Sequence, residues 1–320
     1  MDSLSRLLAL YPMRTALDVR CHFGAPFVLQ QDAAGAGIAP YHLILHGQAR
    51  LTVSGQPELA LQAGDIVLFP HGGAHTLHLH DATLASAPVH EVASAGPLRT
   101  VVNDGGGAVT DILCGQFRWE PQVSQALLAT LPPCLLVRTQ GAAHLAGLQS
   151  LLTLLQQEAE QAQPGAATVL AQLSSALFAM LMRAWLAQKD QPPGLFAALA
   201  ERRLQAALQA MLARPGENWN VGRLAEVCHM SRANFARVFR QVAGTTPAAL
   251  LQQLRMAQAA QWLRQDSRPV AAIGEQAGYQ SEAAFNRVFK RAFGVGPGQY
   301  RRTALAPSGA TAGAPPAPAA

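Results

Sequence analysis

Cysteine is scarce and unpaired in this chain: Cys21, Cys114, Cys134 and Cys228 are spread over 320 residues with no CxxC among them. That spacing argues against both a disulfide framework and a zinc finger. Long apolar runs are also missing. The longest, around Leu177 to Leu186, is interrupted by Arg183 and is too short to span a bilayer. The first residues, MDSLSRLLALYPMR, have an acid at the second position and no small-residue cleavage site, so no secretory signal is expected and the cytoplasm is the expected compartment. At 320 residues, half of them apolar, the chain is expected to build two domains with separate cores.

Charge is divided unevenly. Between Ala200 and Arg302 there are 15 Lys and Arg against 6 Asp and Glu, whereas the remainder holds 9 basic and 13 acidic residues. A basic third joined to a mildly acidic remainder is the electrostatic footprint of a nucleic-acid module carried by a domain that does not itself bind nucleic acid.

Composition changes mark the boundaries. From about Ala16 to Arg118 the chain is rich in Gly, His and β-branched residues in short runs, "YHLILHG", "ARLTVSG" and "DIVLFPHG", each closed by a turn residue. This pattern predicts an antiparallel barrel or sandwich. From His144 the leucines of "HLAGLQSLLTLLQQEAEQAQ" fall at helical spacing, Pro164 and Gly165 break the pattern, and "TVLAQLSSALFAMLMRAWLAQ" resumes it. These helices carry more apolar surface than one helix pair covers, which predicts a homodimer interface. "KDQPPG" at 189–194 reads as a linker, and the segment after Arg302 lacks core-building residues and reads as disordered.

The C-terminal part states one phrase twice. "NFARVFRQVAGTTPAAL" and "AFNRVFKRAFGVGPGQY" align at an offset of 50 residues, matching Phe235 with Phe285, Arg237 with Arg287, Val238 with Val288, Phe239 with Phe289, Gly244 with Gly294 and Pro247 with Pro297. Upstream, "VGRLAEVCHMS" faces "VAAIGEQAGYQS". Each copy predicts a short helix, a tight break at His229 or Gly278, and a second helix behind a serine cap, Ser231 or Ser281, which is a helix-turn-helix. Cys228 is expected to face inward on the first of these helices. Phe235, Val238 and Phe239, at i, i+3 and i+4, give the second helix a buried face. Its exposed face carries Arg232, Ala233, Ala236, Arg237 and Arg240, and the second copy presents Glu282, Ala283, Asn286, Arg287 and Lys290. A helix of this kind fits the major groove, where Arg can pair with guanine and Asn with adenine. Arg237 and Arg287 can equally bind phosphate.

The stretch from "WNVGRLAEVCHMSRANFARVFRQVAGTTP" through "GYQSEAAFNRVFKRAFGVGPGQYR", roughly Arg202 to Arg302, resembles the DNA-binding domain of the AraC/XylS transcription regulators. The resemblance implies double-stranded DNA and RNA polymerase as partners. It also implies one long helix, here about Pro247 to Leu263, holding two reading heads about 34 Å apart.

The N-terminal half is similar to cupin-type sensor domains, on "YHLILHGQARLTVSG" and "LQAGDIVLFPHGGAHTLH". The chain is thus expected to be α+β: a cupin-like β-barrel sensor at 1–143, a helical dimerisation segment and linker at 144–194, an all-α domain with two helix-turn-helix units at 195–303, and a tail at 304–320. Enzymatic cupins hold a metal with an HxH pair, a carboxylate and a later His. The first of the two motifs has no HxH and no following Glu at the expected place. His42 and His46 stand at i, i+4, and His71, His75, His78 and His80 crowd the second motif. The conceivable ligand set is His42, His46 and His75 with His78, but a barrel without metal or other cofactor is favoured.

From its "MDSLSRLLAL" start the chain also resembles a cupin-type AraC subgroup that includes regulators responding to reactive chlorine and other oxidants. Cys21 lies where such sensors carry a cysteine, and Cys114 lies on an expected strand; no second cysteine stands beside Cys114 in the sequence. A thiolate that oxidises could shift the domain between two packings, while the alternative makes both cysteines small core residues. Two function classes follow: a sequence-specific DNA-binding regulator, an activator by resemblance, responding to a small molecule or oxidant; or a metal-dependent cupin enzyme fused to a DNA-binding domain.

Overall fold

The computed structural model describes residues 1–79, 87–93, 96–120, 127–128, 131–161, 163–188 and 192–305. His80, half of the expected linker at 189–194 and nearly all of the expected tail at 304–320 lie outside them. The contacts divide the chain into two compact units.

The first unit holds eleven strands among the described residues: β1 (Arg14–Gly24), β2 (Phe27–Gln31), β3 (Ile38–His46), β4 (Gln48–Val53), β5 (Leu59–Gln62), β6 (Asp65–Leu68), β7 (His75–Leu79), β8 (Val89–Val92), β9 (Arg99–Asn103), β10 (Val109–Arg118) and β11 (Leu135–Arg138). They form a seven-stranded sheet, β11-β6-β3-β10-β1-β9-β8, and a four-stranded sheet, β2-β7-β4-β5. Alternation decides which side chains enter. In β4, Ala49, Leu51 and Val53 are buried while Gln48, Arg50 and Thr52 are exposed, as a period of two requires. The strand pairs are antiparallel as expected, except that β1 runs parallel to β9.

Phe23, Phe27, Leu29, Ile44, Leu51, Phe69, Leu77 and Ile112 fill the space between the sheets, each contributing about 1.5–3 kcal/mol when fully buried. Gly47 turns β3 into β4 with φ of 76°. A Cβ there would lie 2.3 Å from the carbonyl oxygen of Val109, so the hairpin needs both the left-handed conformation and the missing side chain.

Two helices complete this unit, α2 (Ala146–Glu160) and α3 (Ala166–Leu186), separated at the expected break by Gly165, whose φ is 84°. By length and composition alone α3 could cross a membrane, but Leu170, Leu177, Phe178, Leu181 and Trp185 are buried and the helix packs on α2, β1 and β11. The leucine face of α2, Leu148, Leu151, Leu152 and Leu155, is likewise buried. Leu154 and Val169 are the large apolar residues on this hairpin that stay exposed.

The second unit is helical: α4 (Leu195–Ala200), α5 (Gln205–Ala213), α6 (Val221–Val227), α7 (Arg232–Ala243), α8 (Pro247–Gln265), α9 (Val270–Gln276), α10 (Glu282–Phe293) and α11 (Pro297–Leu305). It also includes the first helix of the chain, α1 (Ser3–Leu10), capped by Asp2, whose carboxylate accepts from the Ser5 amide at 2.9 Å. Leu7, Leu10 and Tyr11 are buried, and α1 packs on α5 and α8. Hydrophobic burial, not sequence proximity, thus assigns the first twelve residues to the helical unit.

Candidate functional site

Each helix-turn-helix is fixed by local chemistry. In the first, α6 ends on Cys228, a partly buried cap residue, and His229 takes φ of 53° to turn the chain. The Ser231 hydroxyl then accepts from the amide of Asn234 at 3.3 Å and starts α7. Phe235, Val238 and Phe239 are buried, and α7 packs on α6. The second unit repeats the scheme. Gly278 turns with φ of 88°, Ser281 accepts from Ala284 at 3.2 Å, and Phe285 and Phe289 are buried below α10. Between the units α8 begins at a Thr246 cap with Pro247 in its first turn and runs two residues past the expected Leu263. It packs against α7, α9 and α11.

The faces left over are the ones the sequence indicates. Arg232, Ala233, Arg237 and Arg240 are exposed and Ala236 is partly buried; Glu282, Ala283, Arg287 and Lys290 are exposed and Asn286 is partly buried. Arg237 does not swing freely, since its Nη2 donates to Asn234 Oδ1 at 2.9 Å and its Nη1 to Gln241 Oε1 at 3.5 Å. The Arg232 guanidinium lies over Gly222 of α6, within 2.9 Å of where a Cβ would stand.

A second connection between the two heads is invisible in the sequence. The Gly278 turn touches the loop before α6: a Cβ on Gly278 would lie 2.5 Å from the Gly216 carbonyl oxygen, and one on Gly216 would lie 2.0 Å from that of Gln276. Arg255 of α8 closes the same contact, donating to the carbonyls of Pro215 at 2.8 Å and Glu217 at 2.9 Å, with its guanidinium 5.9 Å from the Tyr279 ring centroid. The heads are therefore held by a backbone clasp as well as by α8.

In the β unit, four predicted site residues meet. Cys114 Sγ lies 3.9 Å from Cys21 Sγ and 3.0 Å from His42 Nδ1; His42 Nε2 lies 2.7 Å from His75 Nε2; and His75 Nδ1 lies 2.8 Å from the Gly73 carbonyl oxygen. A cysteine does stand beside Cys114, contrary to what its sequence neighbours suggest, because the antiparallel pairing of β1 with β10 brings in Cys21 from 93 residues away.

Burial pulls His42 well below the ordinary imidazole range, reinforced by the neighbouring His75, and pulls His75 down to about 4. The contact with Cys21, together with burial, pushes the Cys114 thiol well up. His42, His75 and Cys114 are therefore neutral at rest, and the ring protons are assigned by elimination. A carbonyl can only accept, so His75 carries its proton on Nδ1; His42 must then donate from Nε2, which leaves His42 Nδ1 as a bare acceptor for the Cys114 thiol.

The histidine set expected for a metal does not assemble. His46 is exposed at the end of β3 and contacts Gln156 at 3.3 Å; four residues along a strand is about 13 Å from His42. His78 is three residues from His75 on β7, hence on the opposite face, where it meets Glu58 at 3.1 Å. Among the described residues no three His, Cys, Asp or Glu are gathered to hold a metal ion. As oriented, His42 presents its two nitrogens to different partners, Nδ1 to Cys114 and Nε2 to His75. Arg20 and His22, the neighbours of Cys21, both turn to Asp111, at 2.9 and 3.3 Å, on the other face of β1.

Comparison with known proteins agrees with both halves. A family model described as Cupin matches residues 2–187 and a Helix-turn-helix domain model matches residues 224–303. The RCS-specific HTH-type transcriptional activator RclR of Escherichia coli (strain K12) is 34% identical over 94% of this chain and 97% of its own length. An HTH-type transcriptional regulator of Haemophilus influenzae is 31% identical over 95% and 99%. An AraC-like transcription regulator of Streptomyces antibioticus is 30% identical over 94% and 99%. The chain belongs to the AraC-like transcription regulators that carry a cupin domain ahead of their helix-turn-helix region.

Proposed function

We propose that this regulator is a cytoplasmic activator that reads two segments of duplex DNA with the exposed faces of α7 and α10, engages RNA polymerase, and is switched by an oxidant acting on Cys21 and Cys114. The observation that carries the oxidant reading is the 3.9 Å separation of the two sulfurs, in a chain similar to an activator described as RCS-specific. Large side chains, Phe23, Phe27, Phe69, Leu51 and Leu77, fill the barrel, which favours a chemical change in a side chain over a bound small molecule as the signal. The failure of His46 and His78 to join His42 and His75 favours a regulator without enzymatic activity.

The register supports a switch of this kind. Cys114 stands opposite Val19 and Cys21 opposite Ile112, so the cysteines are diagonal neighbours, with Cα atoms about 7–8 Å apart. A disulfide needs its Cα atoms closer than about 7 Å. Closing the bond must therefore draw β1 along β10, and the register irregularity between Leu17 and Val19 is where the slip can be absorbed. β1 follows α1 after only Tyr11, Pro12 and Met13, so the slip is passed along the chain toward the helical unit.

Mild hypochlorite is expected to change promoter output in the wild type, and Cys21→Ala and Cys114→Ala are each expected to abolish that response while leaving the fold intact. An undiminished response in both variants would return the cysteines to the core. A homodimer through the α2–α3 hairpin is part of the same reading, supported by exposed Leu154 and Val169. Sedimentation at micromolar concentration is expected to show a dimer that Leu154→Glu weakens; a wild-type monomer, with and without DNA, contradicts it.

A further inference from the structure

The cluster says more than that two thiols are close, because its proton arrangement is directional. We propose that His42 is the proton acceptor that makes Cys114 the thiol attacked first, that His75 and the Gly73 carbonyl position His42 in the accepting tautomer, and that Cys21 is the resolving thiol. The inference rests on the oxidant reading above and assigns roles within it. Among the described residues only Cys114 has a bare imidazole nitrogen at hydrogen-bond distance, 3.0 Å from His42 Nδ1. Cys21, by contrast, has the Cys114 sulfur as its neighbour. The remaining titratable groups around Cys114 are Asp18 on β1, which accepts from Gln116 at 2.7 Å, and Tyr41 on β3, which donates to Ser174 at 3.3 Å. Neither is a base directed at the sulfur by a hydrogen bond.

The reaction balances with a hypohalous acid as the oxidant. The Cys114 sulfur attacks the halogen; the S–halogen bond forms, the O–halogen bond breaks, and hydroxide leaves. The thiol proton passes to His42 Nδ1 as the Nε2 proton passes to His75 Nε2. The hydroxide then takes one proton from the imidazole pair and departs as water, which restores a neutral pair. Cys21 next attacks the Cys114 sulfur; the S–S bond forms, halide leaves, and the Cys21 proton goes to water. Two thiols have lost two electrons and the halogen has been reduced to halide. With a thiol that is neutral at rest, the step requires proton removal as the sulfur reacts, since the thiolate is the better nucleophile. General bases of this kind accelerate such transfers by about 10²–10⁴-fold.

The test uses the full chain and an N-chloroamine, a halogen donor slow enough to time, with mass spectrometry of the Cys21–Cys114 linked peptide. His42→Asn keeps an oxygen acceptor near the Nδ1 position but cannot take the proton, so a purely structural role would be rescued and a proton-accepting role would not. The expected result is cross-linking at least about tenfold slower in His42→Asn. Cys21→Ala is expected to consume the Cys114 thiol at the wild-type rate, and Cys114→Ala to leave Cys21 reduced. A wild-type rate in His42→Asn, or oxidation of Cys21 at the wild-type rate in Cys114→Ala, overturns the assignment alone. A wild type that forms no cross-link overturns the oxidant reading and the assignment together. Should His42→Asn fail to fold, His75→Gln decides, because it retains an acceptor for His42 but not the basicity: slower cross-linking supports the relay and an unchanged rate overturns it.

Discussion

Gly278→Ala is expected to destabilise the helical unit by about 3 kcal/mol or more and to lower DNA affinity with it. Two costs combine at this position. The backbone sits at φ of 88°, where an L side chain costs about 1–2 kcal/mol. The new Cβ would also stand 2.5 Å from the Gly216 carbonyl oxygen and 2.8 Å from the Arg255 guanidinium, so the clasp between the heads must open or the turn must shift. Gly294→Ala provides the internal comparison. That glycine has φ of 75° and nothing within 4 Å of the added Cβ, so it should show the conformational cost alone, about 1–2 kcal/mol. Urea unfolding of the full-length variants, followed by helical circular dichroism, measures the difference. Equal effects at the two glycines would mean that the clasp contributes nothing.

Arg237→Ala and Arg287→Ala are expected to act on different halves of one DNA site. Each should weaken binding to the preferred sequence by about 1–3 kcal/mol and relax specificity in its own half, if the guanidinium reads guanine. The Asn234 contact at 2.9 Å restrains Arg237 before binding, which reduces the entropy lost on docking. Equal weakening on every sequence, with a shallower salt dependence, would identify both arginines as phosphate contacts.

The helix-turn-helix pair is legible in the sequence because its determinants are local. Serine caps, the Phe235, Val238 and Phe239 spacing and the glycine and histidine turns all act within one or two helical turns. The strands of the barrel are legible for the same reason, through alternation such as that of β4. What escapes is whatever depends on distant pairing. The parallel partnership of β1 with β9, the approach of Cys21 to Cys114, and the His42–His75 contact are set by closure of the sheets. The Gly216–Gly278 clasp depends on how two units fold back across α8. The leucines of α2 show how a local pattern leaves the use of a surface open. Their pattern correctly marks a helix, but the apolar surface that suggests a dimer is mostly used within the unit, leaving Leu154 and Val169. The histidine-rich second motif is legible only in part, since residue type places four histidines together while strand alternation turns His78 away from His75.

The central claim is that one chain presents two DNA-reading helices in a fixed relation. Selection of duplexes from a randomised pool by the full-length protein tests it most directly. The account predicts two enriched blocks with centres about 10–10.5 base pairs apart, with Arg237→Ala degrading one block and Arg287→Ala the other. A single block, or no enrichment over the starting pool, would contradict it.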